Sequence, residues 1–136
     1  MDRAQASPQV SVREVGAAVA RPLLARVDAF DTTGGVDTVA SMTAAGRCFV
    51  ISQDGRDVGA YVLQRQGDEC FVLAAQGGAD FDVTALLAGV LEGHARGLRS
   101  IAFQTRRPGL IRKAKKHGYS IAGRAPAGVV MRKELK

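Results

Sequence analysis

The sequence contains no tryptophan, only two histidines and only two cysteines among its 136 residues. These four possible ligands are scattered, and they lack the closely spaced pairs that hold zinc, so we expect no metal site. Cys48 and Cys70 could form at most one disulfide, and each lies in an apolar, strand-like run. We therefore expect two buried free thiols, as in a reducing cytosol.

Long hydrophobic runs are also lacking. A membrane span needs roughly 18 apolar residues, and Arg13, Arg21 and Arg26 interrupt the N-terminal stretch. The first twenty residues lack the apolar centre of a signal peptide, so we expect a cytoplasmic protein without membrane contact. A content of 46% hydrophobic and 24% charged residues is typical of a globular protein. The length predicts a single domain over 1–136, with 1–9 as a flexible tail or an edge strand.

Acidic residues are almost absent from the C-terminal part of the chain. Residues 99–136 hold 11 Lys or Arg and one acidic residue, Glu134, for a net charge of +10. Residues 1–98 hold 8 Lys or Arg against 12 Asp or Glu, for a net charge of −4. This asymmetry indicates either an anionic partner for the C-terminal third or a basic surface that only contacts solvent.

The N-terminal third shows helical spacing of its apolar residues. The periodicity predicts a helix over 11–29, with Ser11 as its N-cap, Glu14 completing a capping box, and a kink or break at Pro22. A turn at 32–35 leads to a second predicted helix over 36–45, which Gly46 ends.

The middle of the chain changes to strand patterns. Strands are predicted over 48–51, 58–64 and 69–75, joined by tight turns at 53–56 and 66–68. The Asp-Gly pair in the first turn is a strong hairpin signal. Three strands joined in this way form an antiparallel meander.

The C-terminal half alternates helices and strands. A helix with Asp80 or Asp82 as its cap runs to near Gly97, and the strand over 100–104 follows it. A strand after such a helix is expected to lie parallel to its neighbour through a right-handed crossover. A helix over 109–117 and two strands over 119–122 and 129–133 complete the order.

Two short sequence segments, together with this order of helices and strands, resemble the GNAT acyl-CoA N-acyltransferase superfamily. Leu86-Leu87 with 97–101 looks like the central helix of that family running into its fifth strand, and 115–119 looks like its next helix ending before a glycine and an aromatic residue. The resemblance covers 12–135. It implies an α+β GNAT-like fold, in which helices flank a mixed, mostly antiparallel central sheet.

The resemblance also implies where acetyl-CoA or CoA would bind. The strand before the central helix, and the turn between that strand and the helix, would offer backbone groups to the cofactor. Nearby arginines would hold the phosphates of the cofactor. The residues at these positions are Ala74, Ala75, Gln76, Gly77, Gly78, Arg106, Arg107 and Arg112. Asp80 and Asp82 place negative charge where the pyrophosphate would lie, which is unfavourable unless both only cap the helix.

Catalytic residues remain unassigned. The tyrosine that many family members place four residues before the helix-ending glycine falls at Ala114, which has no proton to donate. Tyr119 matches a packing aromatic residue of the family. His94 lies at the margin of an apolar helix face, where a structural role is expected.

These observations point to three alternative functions. The first is an N-acetyltransferase that acts on an unknown amine, either a small molecule or a protein. The second is an inactive protein of the same fold with an interaction or assembly role, for example in a bacteriophage particle, where a homodimer is one arrangement. The third is binding of a nucleic-acid backbone, and the residues for it are Arg112, Lys113, Lys115 and Lys116.

Overall fold

The computed structural model describes residues 10–24, 38–77, 83–126 and 128–135. Its strands, in chain order, are β1 (Val10–Val15), β2 (Arg47–Gln53), β3 (Arg56–Gln66), β4 (Glu69–Gly77), β5 (Ser100–Thr105), β6 (Ser120–Ala125) and β7 (Gly128–Glu134). Its helices are α1 (Ala17–Leu23), α2 (Val39–Ala45), α3 (Val83–His94) and α4 (Pro108–Lys116). None of these helices has the length and apolar content that a bilayer crossing requires.

The strands form one seven-stranded sheet in the order β1-β2-β3-β4-β5-β7-β6. Only β4 and β5 pair in parallel, and every other neighbouring pair is antiparallel. α3 provides the crossover between the two parallel strands. The α+β class and the mixed, mostly antiparallel sheet predicted from the sequence are confirmed.

The sheet buries a separate hydrophobic cluster on each face. The larger cluster includes Tyr61 and Ile101 and packs against Leu91 of α3 and Ala114 of α4. The smaller one includes Val50 and lies against α1 and α2. Cys70 belongs to the larger cluster and Cys48 to the smaller, and both are free and buried, as expected.

The predicted meander is confirmed, with strands longer than the patterns indicated. Asp54 and Gly55 form the tip of the first hairpin, at φ values of 53° and 83°. Two consecutive positive φ angles match the right-handed twist of the flanking strands, and glycine and aspartate tolerate them. The second hairpin turns at Gly67, also at positive φ.

The helix predicted from Ser11 is wrong over its first five residues. Val10–Val15 is the edge strand β1, antiparallel to β2, and Ser11 lies opposite Ser52 instead of capping a helix. Glu14 forms an ion pair with Arg47 of β2, so it does not complete a capping box. Pairing with β2 outweighs the local helical spacing, because in the strand Val12 packs against the larger cluster and Val15 against the smaller one, on opposite faces of the sheet. Helix α1 begins only at Ala17, and Pro22 lies in its last turn.

The second helix begins later than predicted. Thr38 has an extended backbone and caps α2: its hydroxyl accepts from the Ser41 N–H, and the Thr38 N–H donates to the Ser41 hydroxyl. The helix ends at Gly46, as expected. The segments predicted at 1–9, 25–37 and 78–82, with both aspartate caps, lie outside the described residues.

The C-terminal elements follow the predicted order with shifted ends. α3 ends at His94, three residues before Gly97, which turns the chain at a φ of 85°. α4 begins with Pro108 at its first turn and has His117 as its C-cap. The parallel pairing of β5 with β4 is confirmed.

Candidate functional site

The parallel strands β4 and β5 pair over only part of their lengths. The pairing runs from Glu69 opposite Ser100 to Val72 opposite Phe103 and then stops. Beyond that point β4 continues to Gly77 beside β3, while β5 continues beside β7. β4 thus stays beside β3 while β5 stays beside β7, so a V-shaped opening separates them. Beyond Val72, no strand of the described residues pairs with β4 on the side facing β5.

A β-bulge lies at the apex of this opening. Val62 of β3 is opposite Ala74 and Leu63 is opposite Val72, so Leu73 has no residue opposite it in β3. Leu73 also has none in β5, because the parallel pairing ends at Val72. A bulge changes the direction of a strand and frees backbone groups from the ladder. Here it does so where β4 leaves β5.

A groove of about 340 Å³ lies between α2 and the sheet, and it reaches the apex of the opening. Leu73 and Gln104, the first residues beyond the last β4–β5 pair, both line it. The described residues that line it all have uncharged side chains; they are Met42, Ala45, Gln64, Gln66, Phe71, Leu73 and Gln104.

Hydrogen bonds order two of the glutamine amides in the groove. Gln66 Nε2 donates to Gln64 Oε1 at 2.9 Å, and Gln64 Nε2 donates to the Ala45 carbonyl at 3.3 Å. The chain of amides thus begins on β3 and ends at the last turn of α2. It gives the groove a polar wall beside the apolar surface of Phe71 and Leu73.

The cofactor-binding residues predicted from the sequence fall on two elements. Ala74, Ala75, Gln76 and Gly77 form the part of β4 that diverges from β5, and Gly78 lies outside the described residues. The arginines are exposed, and Arg106 and Arg107 connect β5 to α4.

The basic residues of α4 lie on its outer side. Arg112, Lys113, Lys115 and Lys116 are exposed, while Ala114 between them is fully buried in the larger cluster. Ala114 occupies the position where the resemblance implies a tyrosine, and its methyl group faces the core. No acid is therefore present there.

The other polar clusters lie away from the groove lining. The Tyr61 hydroxyl and His94 Nε2 are 2.8 Å apart beside Phe49. Tyr61 and Phe49 belong to the larger cluster, whereas His94 is the last residue of α3 and is exposed at its margin. Burial lowers the pKa of His94 and raises that of Tyr61 above its ordinary value. Tyr119 is buried against Phe103, and burial raises its pKa as well.

Glu69 joins the paired ends of the three central strands. Its carboxylate accepts from Arg132 of β7 and from the Ser100 hydroxyl of β5, the latter at 2.8 Å. The hydrogen bond from Arg132, and then the one from Ser100, hold the pKa of Glu69 below its usual range against the effect of burial. Among the residues whose side chains the structure describes, no three histidine, cysteine or acidic side chains converge as a metal site would require.

Sequence reasoning missed the groove. Leu73, Gln64 and Gln104 carry no motif, and what distinguishes them is a bulge and the end of a strand pairing. Gln104 lies two residues before Arg106, so proximity to the predicted arginines was the only signal for it.

Comparisons with known proteins identify the architecture. A scan against models of protein families finds no match, and a search of curated proteins finds none either. Among solved structures, an acetyltransferase from Bacillus subtilis in complex with CoA is 14% identical, covers 96% of this chain and 100% of its own, and has a TM-score of 0.72. A GNAT family acetyltransferase from Elizabethkingia anophelis with acetyl-CoA bound is 12% identical, with coverages of 93% and 98% and a TM-score of 0.69.

A third structure agrees with these two. The ribosomal-protein-S18-alanine N-acetyltransferase from Escherichia coli is 15% identical, covers 94% of this chain and 95% of its own, and has a TM-score of 0.69. The chain has the GNAT fold. Identities this low establish the architecture alone, because a fold supports many activities and the site decides among them. In the GNAT fold of this chain, the candidate site is the β4–β5 opening together with the groove at its apex.

Proposed function

We propose that this GNAT-fold protein transfers an acyl group from acetyl-CoA or a related thioester to an amine. The observation that carries the proposal is the divergence of β4 from β5 beyond Val72, with the bulge at Leu73 on the apex. An opening of this kind exposes a row of backbone N–H and C=O groups that an extended ligand can pair with.

The residues around the opening fit a CoA thioester. Residues 74–77 offer backbone groups along one side, and their side chains are small at three of the four positions. Arg106, Arg107 and Arg112 supply exposed positive charge after β5, which suits phosphate groups. Two of the similar structures contain CoA or acetyl-CoA, which supports the same ligand here.

The chemistry of such a site rests on positioning. The bound thioester would supply an activated acyl group, and the backbone of Leu73 would orient it where no ladder partner competes. Leu73, Phe71 and Met42 would keep water from the apex. The lining residues that the structure describes include no acid or base, so these residues would bind and orient the ligand without moving a proton.

The same features support a second function, an inactive GNAT-fold protein with an interaction or assembly role. The observations in its favour are Ala114 at the tyrosine position and the uncharged side chains of the described residues that line the groove. Binding of a nucleic-acid backbone through α4 is a third function, favoured by the exposure of Arg112, Lys113, Lys115 and Lys116.

Titration calorimetry with acetyl-CoA and CoA tests the first proposal. We expect dissociation constants in the micromolar range. Arg106→Ala with Arg107→Ala should weaken binding roughly tenfold, because charge-assisted contacts to phosphate are lost. The matched control is Arg96→Ala with Arg99→Ala. It removes two exposed charges that precede β5, at the opposite end of the strand from Arg106, and it should change binding less than twofold.

The alternative results select among the functions. No heat at millimolar cofactor, with the protein folded, would overturn CoA binding and favour the inactive protein. Salt-dependent retention of an oligonucleotide that is lost on Lys115→Glu with Lys116→Glu would favour nucleic-acid binding. Equal weakening by both arginine pairs would show that only overall charge matters.

A further inference from the structure

Strand β6 forms the edge of the sheet at the end opposite to β1. Among the described strands it pairs only with β7, so one side of its backbone lies outside the ladder. An open edge presents N–H and C=O groups with which a further strand can pair. The exposed residues of β6 are Ser120, Ile121, Ala122 and Arg124.

Helix α4 places positive charge beside the beginning of this edge. The Ala114 carbonyl accepts hydrogen bonds from the N–H groups of His117 and Tyr119, at 2.9 and 3.1 Å, and β6 begins at the residue after Tyr119. Lys115 and Lys116 are in the last turn of α4 and are exposed. This tight turn therefore holds both lysines near the first residues of the edge strand.

The side chains of Ile121 and Arg124 lie on the same face of the sheet as α4. Ile121 is opposite Met131 and Arg124 is opposite Val129, and residues directly opposite each other in antiparallel strands share a face. Met131 and Val129 both pack in the larger cluster, which α3 and α4 cover. Ile121 remains 49% exposed at the margin of this cover. The α4 side of the edge thus carries an apolar side chain and cations at both ends of the strand.

The acidic residues of the chain cannot balance this charge. The sequence has 19 Lys or Arg and 13 acidic residues, so at least six cations lack an acidic partner of their own. Among the described residues, Lys115, Lys116 and Arg124 form no ion pair. Carboxylates that instead pair with cations outside α4 and β6 are those of Glu14, Asp57, Glu69 and Glu92.

A peptide fits this surface better than a nucleic acid does. The outer side of an edge strand offers both donors and acceptors, and a peptide backbone supplies both in return. A phosphodiester backbone supplies acceptors only. Binding of single-stranded nucleic acid also relies on aromatic side chains on which bases stack, and none of the aromatic residues that the structure describes is exposed.

We propose that the β6 edge binds an extended acidic peptide segment of a partner protein, which adds an eighth strand to the sheet. The peptide backbone pairs with the outer side of β6, and carboxylates on its α4 side contact Lys115, Lys116 and Arg124. Strands β5 and β7 separate this edge from the β4–β5 opening. The proposal therefore holds whether or not the protein transfers acyl groups.

Fluorescence anisotropy measures this binding on the unmodified protein. The probe is an octapeptide that alternates glutamate with threonine and has blocked ends and an uncharged fluorophore. The alternation places every glutamate on one face of a strand. We expect saturable binding that weakens about tenfold when the salt concentration rises from roughly 50 to 300 mM.

Two N-methylated forms of the probe test whether the peptide pairs as a strand. The N–H groups of alternate residues in a strand point to the same side. Methylation of the glutamate nitrogens or of the threonine nitrogens therefore blocks pairing from one side only. One form should lose about tenfold in affinity and the other should change less than about twofold. Equal affinities of the two forms would overturn the proposed strand pairing.

A matched pair of variants tests the position of the site. Ile121→Asp adds a carboxylate to the edge and should weaken probe binding about tenfold. Val19→Asp adds the same charge on α1, at a residue that is 48% exposed, and should change binding less than about twofold. The urea midpoint of each variant verifies that it is folded.

A second pair tests the cations without altering the strand. Lys115→Gln with Lys116→Gln should weaken probe binding severalfold, because two contacts to carboxylates are lost. The control is Arg96→Gln with Arg99→Gln, which removes two exposed cations that precede β5 and should leave binding nearly unchanged. Equal effects of the two pairs would show that only overall charge matters and would overturn the site.

The other outcomes also overturn the inference. Absence of probe binding to the folded protein would exclude the site. Displacement of the probe by a single-stranded oligonucleotide of equal charge, at a lower concentration than unlabelled peptide requires, would assign the surface to nucleic acid. A sedimenting dimer that Ile121→Asp converts to a monomer would assign the edge to a second copy of this chain.

Discussion

Gly46 shows how one residue supports both the fold and the groove. A Cβ at this position would lie 2.6 Å from the Leu63 carbonyl oxygen and 2.6 Å from Val62 Cγ1, and 3.1 Å from Leu73 Cδ1. The glycine thus allows the junction of α2 and β2 to pack directly on β3 and on the bulged residue. Its φ of −123° is accessible to any residue, so the requirement for glycine here is one of space.

Gly46→Ala should destabilise the protein by about 1–3 kcal/mol, because the methyl group meets a backbone carbonyl that cannot move freely. Urea unfolding at neutral pH measures the change. Gly89→Ala is the control: Gly89 is within α3 and a Cβ there meets nothing within 4 Å. That variant should be stabilised by up to about 1 kcal/mol, because alanine favours a helix over glycine. Equal effects of the two substitutions would contradict the packing argument.

At this scale the sequence indicated only part of the role of each residue. Gly46 was correctly predicted to end a helix from its place after an apolar run, but its contact with Leu63 depends on a strand 17 positions away. The roles of Leu73 and Gln104 depend likewise on strand register, which no residue type encodes by itself.

Edge strand β1 is joined to the sheet by side chains as well as by its ladder. Arg13 Nη1 donates to the Ser52 hydroxyl of β2 and to Asp57 of β3, both at 3.0 Å, and the Ser52 hydroxyl donates to the same carboxylate. The hydrogen bonds from Arg13 and then Ser52 lower the pKa of Asp57 from 3.8 to about 2. The contact therefore spans three strands.

The Asp57 contact makes stability depend on pH. Because the folded-state pKa is below the unfolded one, ionised Asp57 favours folding above about pH 4, and this contribution disappears as the pH falls toward 2. Asp57→Asn should lower the urea midpoint at pH 7 and flatten its decline between pH 4 and 2. A residual decline will remain, since the pKa values of Glu14 and Glu69 are also lowered.

A double-mutant cycle provides the control for Asp57. Arg13→Met should produce the same flattening, and adding Asp57→Asn to it should change the slope little, because the pair acts as a unit. An unchanged slope in both single variants would show that the contact does not stabilise β1.

Elements were predictable where local signals agreed. The meander combined strand composition with a turn pair that fits one hairpin geometry, and it was confirmed. The helix from Ser11 was wrong because Val12 and Val15 fit helical spacing, while the decisive interaction was pairing with β2 about forty residues later. Tertiary pairing overrides a short periodic pattern of this kind.

The two faces of the sheet separate ionisable groups from the groove. Tyr61 lies in the larger cluster and contacts His94 at the end of α3, whereas the groove lies on the face of α2, where the lining side chains that the structure describes are uncharged. A reaction in the groove would therefore use an amine that is already deprotonated, since no described side chain there can accept its proton.

The rate of acyl transfer to the α-amine of a test peptide should rise with pH, with a midpoint near pH 8 where half of such amines are deprotonated, and should level off by about pH 9. Initial rates of thiol release between pH 6 and 9.5 measure this profile. His94→Gln retains a hydrogen-bonding group on the opposite face and should leave the profile unchanged. A bell-shaped curve, or a shift of the midpoint in that variant, would place a titrating side chain of this chain in the reaction.

The sequence alone determined the class of fold, the meander, the parallel crossover and the concentration of positive charge after residue 98, because each depends on neighbours along the chain. The divergence of β4 from β5, the bulge at Leu73 and the groove beside α2 were decided only by the tertiary structure. They arise because, beyond the last pair of Val72 with Phe103, β4 continues along β3 and β5 continues along β7. Each strand therefore pairs away from the other, and this register depends on residues that are distant in sequence.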